Sequence, residues 1–498
     1  MGIFSKFKDQ LTPSSPSYDF GSVPASIPLG PLAVLRYRKQ RGVNLGSWFS
    51  LEQWICPQVF QQARHPGQSD FDVASDENAK RILEEHWDTW ITEQDFQWIA
   101  SKGFNSVRLP IGYYHLCGPI PEVLRDTEFA PFHHIYEGAW GRIKRAVETA
   151  GSFGLGVLID LHGAAGAQNP DAHAGLSGGQ VGFWNTHANQ ASTSLALRFL
   201  ASQFAAVPHV VGLELLNEPQ NHHKLQGWYQ KAIDEVRTVA PPDFPIYVSD
   251  AWDTDHYAHF VGSHEDFIVL DHHMYRCFTA EDKKMSGQGH ADELRRNYRE
   301  RFAGQCEAAK GALVVGEWSA SLDPGSFPPG ISDREKDAQR RSFVNAQLEL
   351  FERHASGYWF WTLKKSEGWD AGWSALNASQ AEILPSWIGS RPFKGHPLEH
   401  LKQQELQAGH NSHTNYWAEH GGSPNPAVYA PGFSQGWDDA LIFLSADTAP
   451  SEMGFIHQWA SRRKTEFEAS NHKLGHAAWE WEHGFRQGVE SATRCCLE

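Results

Sequence analysis

Two glutamates carry the chemistry that this sequence is equipped for. Glu218 stands near the end of VVGLELLNEP at 210–219, an apolar, β-rich run that breaks at Asn217, Glu218 and Pro219. Glu317 sits in LVVGEWS at 313–319, a second run of the same character. Two carboxyls held at the same end of a parallel barrel, one as nucleophile and one as proton donor, are the minimum equipment of a retaining sugar-bond hydrolase. The role requires the pair to lie about 5–5.5 Å apart, with Glu317 ionised and Glu218 protonated, which predicts a raised pKa for Glu218.

Placing both acids at one end is the work of the surrounding elements. Eight strand-like runs occur in order, at 42–46, 106–112, 156–163, 210–219, 245–250, 267–275, 313–319 and 357–364. Their near-continuous apolar character, without polar alternation, predicts strands covered on both faces, as in a parallel sheet. Room for a helix follows each run. The stretch 92–102 starts at Thr92, a capping residue type, carries an apolar stripe at helical spacing and stops at Gly103. Eight such units predict an α/β (β/α)₈ barrel over residues 36–387. A doubly wound open sheet would need a glycine-rich phosphate turn after an early strand, which 42–46 does not supply. Residues 1–35 read as an irregular Ser/Pro-rich arm, and 388–498 as loops and helices packed on the barrel.

Composition narrows the partner. The formal charge of −16 and the absence of a Lys/Arg block argue against nucleic acid. Twenty Trp residues suit a neutral carbohydrate, whose C–H faces stack on flat aromatic surfaces, although most of them must be core. No run of about 18 apolar residues offers a membrane span. Cys56, Cys117, Cys277, Cys306, Cys495 and Cys496 lack metal-type spacing and read as free thiols. No His-x-x-x-His pair falls on a predicted helix, so neither a zinc site nor any other metal or cofactor is expected. The sequence does not fix the oligomeric state.

Six motifs in register then make the reading specific. They are RGVNLGSW at 41–48, GFNSVRLPIG at 103–112, DLHGAAGAQN at 160–169, LNEP at 216–219, DHHMY at 271–275 and GEWS at 316–319. Together, over roughly 40–380, they resemble glycoside hydrolase family 5, and within it the fungal exo-β-1,3-glucanase group. The resemblance implies that Glu218 is the acid/base and Glu317 the nucleophile. It also implies that Arg108 fixes Glu317, that Asn217 donates to the sugar 2-OH, and that Tyr275 hydrogen-bonds Glu317. His162 and His273 would bind hydroxyls or orient neighbours, Glu52 would hold the terminal glucose, and Trp361 would form the floor beneath it. Phe278 matches one of two phenylalanines that clamp the next sugar in that group, whereas the loop at 168–175 offers Asp171 where the other is expected. Trp252, Trp369 and Trp373 follow strands at the same end, with core packing and substrate contact equally open for each.

Terminal glucose from a glucan fragment or small β-glucoside is the expected substrate. A lipid or steryl glucoside, sugar transfer in place of hydrolysis, and a non-hydrolytic carbohydrate-binding barrel remain as alternatives. The first eleven residues lack the apolar stretch of a secretory signal and fit a myristoylation motif poorly, with Lys6 where Ser or Thr belongs. The prenylation-like spacing at Cys495 ends in Glu498, a poor fit to the usual residues. The expectation is a soluble cytosolic protein.

Overall fold

The computed structural model describes residues 18–395, 397, 399–421, 425–446, 450–470 and 473–497. The amino-terminal motif at 1–11 and Glu498 of the prenylation-like box lie outside the described residues.

All eight runs form strands, and these pair in parallel in chain order into a closed barrel. They are β1 (Gln40–Asn44), β2 (Ser106–Gly112), β3 (Gly156–Gly163), β4 (Val210–Glu214), β5 (Ile246–Ser249), β6 (Ile268–Met274), β7 (Leu313–Trp318) and β8 (Gly357–Phe360). Every residue of every strand is buried. That is why the runs carry no polar alternation: helices cover one face and the barrel interior the other. The closed order excludes the doubly wound alternative. The helix at 92–102 forms as Glu93–Ser101, with the Asp95 carboxylate accepting the Thr92 backbone N–H at 2.8 Å and Gly103 leaving it at φ +84°.

Beyond the barrel lie four long helices, α1 (Glu399–Glu419), α2 (Pro426–Leu444), α3 (Ile456–Ala469) and α4 (Ala478–Cys496). They reach the barrel at the amino-terminal ends of its strands. Lys39 donates to the Glu452 carbonyl at 2.8 Å, Gly454 donates to that of Tyr37 at 2.9 Å, and the Trp459 ring on α3 packs edge-on to Tyr37 at 5.1 Å. Near the start of β1, Arg41 pairs with Glu352 and Glu452, each at 2.7 Å. Within this group α2 and α4 cross through glycines. A Cβ at Gly432, Gly436, Gly484 or Gly488 would stand between 2.0 and 2.3 Å from a carbonyl oxygen of the facing helix, so the two main chains touch without intervening side chains.

Among the described residues no helix is long and apolar enough to cross a membrane. All six cysteines are unbridged and five are buried.

Candidate active site

Inward-facing positions near the carboxyl ends of the strands converge on one buried cation. Arg108 of β2 is fully buried, and its guanidinium donates in several directions at once. Nε and Nη2 reach Glu214 Oε2 at 2.9 and 2.7 Å, Nη2 also reaches Asn217 Oδ1 at 2.8 Å, and Nη1 reaches Glu317 Oε1 at 2.9 Å. Asp160 of β3 stands 3.2 Å from Nη2. Burial opposes charge on every member of this group, and the members resolve it differently. Burial, reinforced by Asp271 and Asp160, raises the Glu214 carboxyl well above the usual carboxylate range despite Arg108. Asp160 feels the same burial, yet Arg108 and His162 pull it below its usual value.

Glu317 is thereby gripped from two sides. Arg108 donates to one oxygen, and the Tyr275 hydroxyl donates to the other at 2.7 Å. Asp271 comes close because residue 316 has no side chain: a Cβ at Gly316 would lie 2.1 Å from its carboxylate, which instead accepts the Gly316 N–H at 2.6 Å.

Glu218 is presented differently. β4 ends at Glu214, five residues before the end of the predicted run at 210–219, and the chain continues irregularly through Asn217 to Glu218. Glu218 has φ +44°, a left-handed conformation costly for a residue with a Cβ, and the Asn169 amide holds its carbonyl at 3.0 Å. Its Oε1 lies 2.7 Å from His273 Nδ1, and its Oε2 lies 3.6 Å from His173 Nε2. Its proton affinity runs against the sequence expectation. Burial alone would raise it, but the hydrogen bond and charge of His273, with help from His173 and His162, bring Glu218 down to about 2. His273 is correspondingly raised well above its ordinary value: burial opposes its charge, and Glu317, Asp271 and Glu218 outweigh the burial. The shared hydrogen bond thus draws the Glu218 carboxyl down and the His273 imidazole up, which favours the proton on the imidazole side of the pair. The correction has a plain cause, since a carboxyl between two histidines is surrounded by positive charge instead of apolar wall.

One oxygen of Glu218, one of Glu317 and a nitrogen of His273 all lie within 4.8 Å of one another. Both acids open into a cavity of about 750 Å³, whose wall also includes Glu52, Trp54, His173, Tyr275, Phe278 and Trp361. Arg108, His162, Asn217 and His273 are buried behind that wall, where they touch the acids or each other. His162 bonds Asp160 at 2.7 Å and stacks on Trp361 at 5.7 Å and 7°, backing the ring that faces the cavity. Burial raises Glu52 to about 7 against the opposing influence of His173 and the Trp54 N–H, which donates to Oε2 at 2.7 Å. Its Oε1 is buried without a partner. At the mouth, Trp252 and Phe278 are 61% and 64% exposed, and Trp373 packs between Tyr275 and Trp54. Trp252, Trp373 and Asp171 line the cavity, whereas Trp369 does not.

Two trios, Glu214–Asp271–His273 and Glu218–His273–Glu317, have ligand-like spacing for a cation. Arg108 already stands 2.7 Å from Glu214 and 2.9 Å from Glu317, so its guanidinium occupies the electrostatic role that an ion would take. Sequence reasoning missed His173, the buried Glu214 beside Arg108 and the part played by Trp54. His173 is a loop residue without periodicity. Its signal is its place in the loop 168–175, which already stood out through Asp171.

Residues 72–367 match the family model described as cellulase (glycosyl hydrolase family 5), and residues 398–496 match one described as glucan 1,3-beta-glucosidase 3 C-terminal domain. The chain is 31% identical to glucan 1,3-beta-glucosidase 3 of Schizosaccharomyces pombe, over 90% of this chain and 94% of that protein. It is 32% identical to the probable glucan 1,3-beta-glucosidase A of Aspergillus terreus, over 71% of this chain and 90% of that protein. A rutinosidase structure from Aspergillus niger shares the fold with a TM-score of 0.53 at 18% identity, covering 67% of this chain and 91% of that one.

Proposed function

The chain belongs to glycosyl hydrolase family 5 and is a glycosidase, and from that premise we propose that it removes terminal β-linked glucose from a glucan fragment or small β-glucoside with retention of configuration. The carrying observation is the approach of Glu218 and Glu317 to within 4.8 Å at their nearest oxygens, on the wall of a single cavity. That separation suits direct attack by a carboxylate. A water-mediated, inverting site needs the acids about 6.5–9.5 Å apart.

The chemistry then proceeds in two displacements. Glu317 attacks the anomeric carbon while the glycosidic oxygen leaves with a proton from Glu218, giving a glucosyl ester and a free aglycone. The proton reaches Glu218 across the 2.7 Å contact with His273. Esterification removes the negative charge of Glu317, the first of the charges that favour protonated His273, so the imidazole surrenders its proton most easily in this step. In the second displacement Glu218 takes a proton from water, the resulting hydroxide attacks the anomeric carbon, and Glu317 departs as carboxylate. Its restored charge draws the proton back to His273. Asn217, its oxygen fixed by Arg108 and its amide nitrogen 3.5 Å from His162, can direct one N–H to the sugar 2-OH, and Glu52 offers a buried, unpartnered oxygen to a terminal hydroxyl.

The exposed Trp252 and Phe278 also favour a second reading of the aglycone, as an apolar ring system such as a lipid or steryl group. Early product from an aryl β-glucoside and from a β-1,3-glucan, followed by proton NMR, tests the proposal. The expected product is β-glucose, released singly. An initial α anomer would refute the double displacement, and early long oligosaccharides would refute the terminal mode.

A further inference from the structure

The carboxyl-terminal helices enclose a second cavity of about 390 Å³, between α1 and α4 and floored by α2. It belongs to the part of the molecule that packs on the amino-terminal end of the barrel, away from Glu218 and Glu317. Its volume lies within the range of about 300–1,000 Å³ typical of small-ligand sites.

Three features of the wall specify a ligand. Tyr416 of α1 and Trp479 of α4 are 54% and 44% exposed, in a chain whose large aromatics are mostly buried. Trp479 also meets Trp417 of α1 at 5.2 Å and 67°, so the rim presents aromatic surfaces in two orientations. Tyr429 of α2 is fully buried, yet its hydroxyl on the wall has no hydrogen-bond partner. A buried polar group left unpaired is destabilising, a cost that a ligand hydroxyl would recover. The space beside that hydroxyl depends on Gly409, where a Cβ would stand 2.7 Å from it. Finally, among the described residues the wall contains no Asp, Glu, Lys or Arg. Its remaining polar groups include His413, which is anchored through Nε2 to Glu480 at 3.1 Å.

Exposed flat rings, an unsatisfied buried hydroxyl and no formal charge describe a site for a neutral ring that has an apolar face and hydroxyl edges. We propose that this cavity is a non-catalytic site for glucosyl units of a β-glucan, which holds the enzyme on a chain at a distance from the bond being cut. The identity of the sugar rests on the function proposed above. The cavity lies within the 398–496 match, so the inference gives that segment a role separate from hydrolysis.

Retention on insoluble β-1,3-glucan tests it, with the full-length Glu317→Ala protein as the non-hydrolysing reference. Adding Tyr416→Ala and Trp479→Ala should weaken retention about tenfold, a loss equivalent to about 1.4 kcal/mol. Trp479→Phe, which keeps a flat ring, should restore most of it. With Glu317 intact, the paired alanine substitutions should leave aryl β-glucoside hydrolysis and the melting temperature unchanged. Retention unaffected by the pair, or abolished instead by Trp252→Ala at the catalytic mouth, would overturn the inference. A wild-type protein that retains glucan but cleaves no β-glucoside would refute the proposed function and leave this site standing.

Discussion

Arg108 and Arg41 are buried arginines on adjacent strands, and each is ringed by carboxylates, but they serve opposite ends of the barrel. Around Arg108 the partners Asp160, Glu214 and Glu317 are at most 6% exposed, so every charge there depends on its neighbours. Around Arg41 the partners are Glu352 and Glu452, 37% and 21% exposed, which water already solvates in part. The Arg41 cluster ties the barrel to the carboxyl-terminal segment. The Arg108 cluster confines charge tightly enough that one proton more or less changes what its members can do. The residue types are the same, and exposure decides which cluster can perform chemistry.

The largest test of that contrast is activity. Glu317→Ala should lower turnover by several orders of magnitude in an aryl β-glucoside assay, because water cannot replace a covalent step. Arg41→Ala should leave turnover near wild type, and comparable losses in the two variants would erase the contrast. Stability should divide the ends less sharply. Arg108→Ala strands buried carboxylates and should cost about 3–5 kcal/mol in denaturant unfolding. Arg41→Ala, whose partners can turn to water, should cost only about 1 kcal/mol.

A finer test is pH. Glu218, depressed to about 2, contributes stability that is present above its ordinary value of 4.5 and lost as pH falls towards 2. His273, raised above its ordinary 6.5, contributes stability that is present below 6.5 and lost as pH rises through its folded value. His273→Gln removes its own contribution and reduces that of Glu218, which His173 and His162 also lower, so melting temperature should vary less with pH than in wild type. The alkaline limb of kcat/KM should also move to lower pH, since the proton is then stored on a carboxyl alone. An unmoved limb would show that the imidazole holds no catalytic proton. The smallest effect belongs to Glu52. Because burial raises it from 4.5 to about 7, its contribution is present below 4.5 and lost as pH rises through 7. Glu52→Gln should therefore raise the melting temperature at pH 8 but not at pH 4.5, while raising KM.

How much of this was legible follows from what pattern can encode. The eight strands were readable because burial on both faces leaves an uninterrupted apolar run, and only their ends shifted, as where β4 stops at Glu214 before the irregular turn to Glu218. Arg108, Tyr275 and Glu317 were readable through motifs fixed to strand ends, and the structure brings them into contact. The raised proton affinity of His273 was not readable, because it depends on distances among Glu218, Glu317 and Asp271, which come from three different stretches of chain. Nor was the second cavity. Its rings come from α1 and α4, more than sixty residues apart, and no spacing in sequence announces that they meet.

The glycine crossing of α2 and α4 bears on how this protein can vary over generations. At Gly432, Gly436, Gly484 and Gly488 even the smallest replacement, alanine, drives a methyl group into the opposing main chain. Intermediate substitutions at these four positions would therefore require the two helices to move apart. Tyr429 and Trp479 ride on those two helices, so the spacing between floor and rim of the second cavity is inherited as a fixed unit. Divergence in what that cavity accepts has to come through its exposed rings, where one substitution can act without moving a helix.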